Sequence, residues 1–159
     1  MDTYSLTLAE KKDASVILNF YHSLTESPGC TWNSDYPNKD NITRDISMNS
    51  LYLLKDGNDI ISVATATVSR KQQVLEGVTY NPCYIKRFGV ARPMQRQRIG
   101  TLMLEKIVEF IRNNGFEEIR LLVGKNNVPA IAFYEKNGFT RCGVVNKYNK
   151  DFFCYKKDF

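Results

Sequence analysis

The chain has 159 residues, 43% hydrophobic and 25% charged, enough to bury a core without disulfides or a metal. Nine glycines and five prolines set aside collagen-like and low-complexity chains. The N-terminus MDTYSLTLAEKKDA lacks the apolar run of a secretory signal, and no stretch nears the ~20 apolar residues of a membrane helix, so a soluble, cytoplasmic protein is expected. The net charge of +5 is concentrated: no acidic residue falls between Glu76 and Glu105, where Lys86, Arg87, Arg92, Arg96 and Arg98 lie. The remaining 22 − 5 = 17 basic residues balance 17 acidic ones. A basic stretch of this kind attracts an anion, be it a phosphorylated cofactor, a nucleic acid or a membrane surface.

In chain order, Tyr4–Leu8 alternates as a short strand, and residues 11–24 read as an amphipathic helix with Val16, Phe20 and Leu24 on its apolar face. Residues 27–41 are turn chemistry that nonetheless carries Trp32 and Tyr36. Those aromatics either pin the loop or cover a site. A short helix is expected over 41–48. Strands 51–55 and 60–68 flank Asp56-Gly57-Asn58-Asp59, a hairpin signal. A polar connection over 70–81 leads into a strand over 83–90. Ile99, Met103, Ile107 and Phe110, with Leu102 and Ile111 beside them, mark a helix over 99–113 that Gly115 ends. A buried strand over 119–123 follows, then a helix over 127–136 capped by Asn127 and stopped by Gly138, then strands over 139–145 and 152–156. About seven strands and four helices, with no repeat or linker, predict a single α/β domain over 1–159 built on a mixed sheet.

The cysteines (Cys30, Cys83, Cys142, Cys154) form no CxxC pair, and with His22 as the lone histidine no ordinary zinc site is expected. They read as four packed thiols in a reducing compartment. Asn41-Ile42-Thr43 is a chance sequon in a chain without a signal peptide. GxGxxG is absent, and Gly124-Lys125 has the wrong neighbours for a nucleotide-hydrolysing phosphate loop. What remains is a strand over 84–90, a basic loop and the head of a helix, a seat for pyrophosphate built from free N–H groups and the helix dipole.

Gln95-Arg-Gln-Arg-Ile-Gly100 resembles the Q/R-x-x-G-x-G/A signature of the GNAT superfamily of acyl-CoA-dependent N-acetyltransferases. Asn127-Val-Pro-Ala-Ile-Ala-Phe-Tyr-Glu-Lys-Asn-Gly-Phe139 is similar to that family's downstream block, in the same order and spacing. The resemblance covers residues 84–145. It implies a GNAT-like fold with a splayed central strand pair and acetyl-CoA as cofactor. The cofactor would lie along Phe88, Gly89 and Val90 and on the N–H groups of Gln95, Arg96, Gln97, Arg98, Ile99, Gly100 and Thr101, with Asn127 and Tyr134 in contact. It further implies direct attack by a primary amine, with the Val90 N–H as oxyanion donor and Tyr134 as general acid to the departing thiolate.

Arg98 replaces the signature's middle glycine. On a helical backbone it costs nothing and adds a phosphate ligand; if the glycine serves close cofactor approach, Arg98 obstructs it. The resemblance also implies an acceptor side near residues 25–45 and 70–82, where Glu26, Trp32, Asp35, Tyr36 and Glu76 would offer carboxylate and cation–π contacts to an amine. Glu76, Glu26, Asp35 and His22 are the candidates for the general base. Polyamines, aminoglycosides, amino acids and protein N-termini all fit as acceptors, and the chain is expected to be monomeric or homodimeric without a membrane partner. Two other readings stand beside this one: a cofactor-binding but inactive family member, and a nucleic-acid-binding module using residues 86–98.

Overall fold

A computed structural model describes residues 4–27, 29–67, 73–75, 78–80 and 82–159. Strand β1 (Tyr4–Leu8) leads through a 3-10 turn into helix α1 (Ala14–Ser23) and then α2 (Lys39–Ser47). Strands β2 (Leu51–Asp56), β3 (Asp59–Thr67), β4 (Gln73–Leu75), β5 (Val78–Tyr80) and β6 (Pro82–Val90) follow. The chain continues with α3 (Ile99–Asn113), β7 (Glu118–Gly124), α4 (Val128–Lys136), β8 (Thr140–Lys147) and β9 (Lys150–Asp158). The main sheet has seven strands in the order β1-β2-β3-β6-β7-β9-β8, and β4 and β5 pair separately. Together with four α-helices among the described residues, this is the expected mixed α/β architecture; the short β4–β5 ribbon lies where only a polar connection was expected.

The sheet separates two cores. Along β2, Tyr52 and Leu54 face one layer while Leu51 and Leu53 face the other, the period-2 signature of a sheet covered on both faces. The first layer is closed by α3 and α4, with Met103, Ile107, Ile111 and Tyr134 buried; the second takes Ile17 and Tyr21 of α1 and Ile42 and Ile46 of α2. Two expected helix faces shift. On α1, Ile17, Tyr21 and Leu24 are buried and Val16 is 54% exposed, because the phenol of Tyr21 finds a buried acceptor in the carbonyl of Arg87 (3.3 Å). On α3, Leu104 and Val108 join Ile99, Met103, Ile107 and Ile111 in the core, while Phe110 and Leu102 are only partly buried.

Local signals hold elsewhere. Gly57 turns the β2–β3 hairpin at φ +61°, and Gly115 and Gly138 end α3 and α4 in the left-handed region. Asn38 and Asn41 close a reciprocal capping box that starts α2 two residues before the expected position. The four thiols are not all packed: Cys83 is buried, but Cys142 is exposed on the edge strand β8.

Candidate active site

Among the described residues, β6 and β7 are the only parallel neighbours in the main sheet, and they pair through three positions: Pro82 with Glu118, Cys83 with Ile119, and Tyr84 with Arg120. β6 runs on to Val90 and β7 to Gly124 without further pairing, so the two strands part into a V that opens toward their C-terminal ends. The N–H of Ala91 bonds the carbonyl of Ile61 on the β3 side (2.9 Å). Strand alternation therefore turns the N–H and C=O of Val90 the other way, into the V. The carbonyl accepts a hydrogen bond from Gln95 Nε2 (3.0 Å), and the N–H has no partner among the described residues.

A bulge shapes this strand. Thr65 pairs with Lys86 and Val63 with Gly89, so Ala64 alone faces both Arg87 and Phe88. Arg87 takes φ +50°, a left-handed conformation unusual for a residue with a side chain. Its Nε and Nη2 grip both oxygens of Asp45 on α2 (2.7–3.0 Å), its Nη1 donates to the Tyr36 hydroxyl (3.0 Å), and Asp45 also accepts from Thr65 (2.8 Å). Burial opposes the guanidinium charge, but the hydrogen bonds and field of Asp45 outweigh it and raise the Arg87 pKa. Arg87 is thus a structural cation, which corrects its place in the anion-attracting stretch. Asp45, 42 positions away in sequence, carries no local signal that could have revealed the pair.

At the head of α3 the first N–H to close a helical bond is that of Leu102, on the carbonyl of Arg98 (3.0 Å). The N–H groups of Arg96 to Thr101 have no partner among the described residues. Arg96 (φ +64°) and Arg98 (φ +65°) are left-handed with Gln97 between them, an alternation that turns successive N–H groups toward one concavity. Arg92, Arg96 and Arg98 are exposed, and no carboxylate among the described residues pairs with them. Ile99 is buried in the core, so only its backbone faces the concavity. Gln95 and Gln97 spend their side chains on backbone carbonyls, of Val90 and Pro93, rather than on the concavity.

The helical backbone expected at Arg98 is not found. Its left-handed conformation is the one glycine adopts freely, which explains a glycine there without any steric appeal to a ligand. Arg98→Gly is therefore expected to raise unfolding stability by about 1 kcal/mol while weakening affinity for a polyphosphate, measured by thermal melting and calorimetry on one sample.

Gly100 has the opposite role. A Cβ there would lie 3.3 Å from Phe133 Cε1 and 3.5 Å from Val90 Cγ2, so the head of α3 rests directly on β6 and α4. Gly100→Val should cost ~1–3 kcal/mol of stability by overpacking and displace the free N–H groups. Acetyl-CoA titration of this variant should show lost affinity even where the fold survives.

Tyr134, on α4, is 8% exposed, with edge contacts to Phe88, Phe133 and Phe139 at 5.2–6.4 Å. Its hydroxyl has no hydrogen-bond partner among the described residues, and burial raises its pKa well above the ordinary phenol range. Asn127 caps α4, its Oδ1 accepting from Ala130 N (3.3 Å), which leaves the amide NH₂ uncommitted. An unpartnered buried phenol beside the V, a row of free N–H groups and an open strand edge together fit a pantetheine diphosphate with a thioester.

On the other side, Thr31, Gly124, Lys125 and Asn126, with Asn149 of the β8–β9 turn and residues 150–152 at the start of β9, line a cleft of about 420 Å³. Gly29 and Thr31 press against Asn127 and Gly124, so the α1–α2 loop reaches across to the end of β7. Of the expected acceptor-side residues, Trp32 packs edge-on against Tyr21 (5.2 Å), Tyr36 is engaged by Arg87, and Glu26 and Asp35 are exposed. His22 is exposed on α1, and Glu76 lies outside the described residues. Thr31 and the β8–β9 turn, which line the cleft, have nothing in the sequence to mark them.

The sequence profile of the acetyltransferase (GNAT) family matches residues 17–139. A probable N-acetyltransferase (san) of Drosophila melanogaster is 41% identical over 68 residues, which cover 42% of this chain and 37% of that protein, so the match spans little more than a third of that relative's length. Among solved structures, the ribosomal-protein-S18-alanine N-acetyltransferase of Escherichia coli has a TM-score of 0.75 at 18% identity, covering 98% of this chain and 93% of that one. Arabidopsis thaliana Naa50, in complex with the bisubstrate analogue CoA-Ac-MVNAL, has a TM-score of 0.71 at 20% identity, covering 99% of this chain and all of that one. These likenesses show the same fold, no helix of the described residues is long and apolar enough to cross a membrane, and with a family profile matched over most of its length the chain belongs to the acetyltransferase (GNAT) family.

Proposed function

We propose that residues 1–159 act as one N-acetyltransferase domain that transfers the acetyl group of acetyl-CoA to a primary amine by direct attack. The observation that carries this reading is the run of N–H groups from Arg96 to Thr101 at the open end of the V, among three arginines, all without partners among the described residues. Acetyl-CoA, when bound, supplies an electrophilic thioester whose leaving group is a thiolate. The N–H groups at the head of α3, with Arg92, Arg96 and Arg98, hold the diphosphate. The exposed edge of β6 at Phe88, Gly89 and Val90 pairs with the amide arm as an added strand would. The Val90 N–H stabilises negative charge on the acyl oxygen. Tyr134, protonated and without a partner among the described residues, gives its proton to the sulfur. The acceptor amine, of a peptide or a small molecule, enters through the cleft between Thr31 and the β8–β9 turn.

Calorimetric titration with acetyl-CoA at two salt concentrations tests the reading, followed by a thiol-release assay over a panel of amines. Saturable one-site micromolar binding and turnover with at least one amine are expected. Folded protein that binds no acetyl-CoA but binds duplex DNA, with affinity falling steeply in salt, would make the basic surface a nucleic-acid site instead. Binding without turnover on any amine would leave an inactive family member.

A further inference from the structure

The four thiols divide by environment. Cys83 is fully buried, its Sγ donates to the carbonyl of Thr67 (3.1 Å), and burial pushes its thiol up to about 12. Cys30 is half-buried and accepts from the N–H of Trp32 (3.4 Å). The other two lie on neighbouring antiparallel strands with their Sγ atoms 2.8 Å apart, inside the contact distance of two unbonded sulfurs. The β8–β9 register explains the approach. Arg141 pairs with Tyr155 and Gly143 with Cys154, consecutive positions on β9, so Cys142 is the extra residue of a bulge. β8 is the outer strand of the sheet and Cys142 is exposed, so small solutes reach it directly.

We infer that Cys142 and Cys154 are a reversible dithiol–disulfide pair that closes on reaction with a low-molecular-weight disulfide such as oxidised glutathione. The exposed Cys142, as thiolate, attacks one sulfur of the small disulfide. The Cys142–glutathione bond forms, the small S–S bond breaks, and the leaving thiolate takes up a proton equivalent to the one Cys142 lost. Cys154, deprotonated in turn, attacks Cys142 Sγ and releases the second glutathione as thiol. The protein dithiol is oxidised, and one small disulfide is reduced to two thiols. Burial, with the neighbouring Cys142 thiol, pushes Cys154 up to about 11, which leaves the first attack to Cys142 and the resolving step to Cys154. The bond encloses the β8–β9 turn, where Tyr148 (φ +54°) and Asn149 (φ +59°) reverse the chain beside the cleft.

The test does not depend on acetyl transfer. The full chain is equilibrated without oxygen in glutathione buffers of graded oxidised-to-reduced ratio, acid-quenched, and read by thiol titration after denaturation and by intact mass. The titratable thiols are expected to fall from four to two, the mass to drop by two hydrogens with no glutathione adduct, and peptide mapping to join Cys142 to Cys154. The chain stays monomeric on a non-reducing gel, and dithiothreitol restores all four thiols. Cys154→Ser, which keeps the attacking thiol without its resolver, should hold one glutathione on Cys142, whereas Cys142→Ser should hold none at either position. Both substitutions exchange sulfur for oxygen in a small side chain, Cys142 on the outer strand β8 and Cys154 on its neighbour β9, and circular dichroism of each confirms the fold. Four thiols at every ratio, a lasting adduct on the unaltered protein, or a link through Cys30, Cys83 or a second chain would each overturn the assignment.

Discussion

Tyr134→Phe is expected to lower turnover by ~10²-fold while leaving acetyl-CoA affinity and the fold intact. The phenol is a poor structural element where it stands: its ring packs against Phe88, Phe133 and Phe139, but its hydroxyl is buried without a partner among the described residues. A buried unsatisfied hydroxyl costs about 1–3 kcal/mol, so phenylalanine should match or raise the melting temperature. A tyrosine kept for packing predicts an unchanged rate, whereas a proton donor predicts loss of rate without loss of stability. The pH dependence adds a second check. Burial raises the folded-state pKa above the unfolded value of ~10, so the group's contribution to stability is fully present below that pH and is lost as pH rises through the folded pKa. Tyr134 therefore stays protonated through the neutral and mildly alkaline range, and the rate should show no falling limb from its ionisation below pH ~10. A limb near neutrality that vanishes in the phenylalanine variant would remove Tyr134 as a phenol donor of this kind.

How far the sequence reached depended on how local each determinant was. The α3 boundaries, the Asp56–Asp59 hairpin and the Asn127 cap are set by residues within a turn of one another, and they lie where the sequence places them. The buried face of α1 departs from the periodic one because a tyrosine is ambiguous until its hydroxyl has a partner, and that partner, the carbonyl of Arg87, is 66 residues away. The same limit applies at Arg98. On a helical backbone Arg98 adds a phosphate ligand at no steric cost, but its φ is +65°, a loop conformation two residues before Gly100 packs against Val90 and Phe133, which a motif position does not announce. The V was implied only through family resemblance, since three paired positions between β6 and β7 leave no pattern in either strand. The nearness of Cys142 to Cys154 rests on a bulge, which no periodicity announces.

The bulge in β6 sets up the other large effect. Asp45→Ala should destabilise the protein by about 3–5 kcal/mol, because it strands a cation whose side chain is 11% exposed against a carboxylate 8% exposed. That is a large share of the 5–15 kcal/mol typical of a domain, and it corresponds to a fall of roughly ten degrees in Tm. The loss is not confined to stability. Arg87 is clamped from several sides, by Asp45 and Tyr36 on its guanidinium and by the Tyr21 hydroxyl on its carbonyl, while Ser62 Oγ donates to the buried carbonyl of Gly89 two residues on (2.8 Å). These bonds hold a left-handed residue in a strand that would otherwise relax toward regular pairing, and that pairing would shift the face on which the Val90 N–H is presented. The Asp45→Ala variant, assayed well below its melting temperature, should thus lose turnover while diphosphate binding at the head of α3 persists. Asp45→Ala/Arg87→Ala should regain stability relative to Asp45→Ala, since no buried charge is then unpaired, but should not regain turnover, since the clamp is gone. If the double variant recovers both, the pair acts on stability alone; if neither single nor double variant alters turnover, the bulge does not set the position of the Val90 donor.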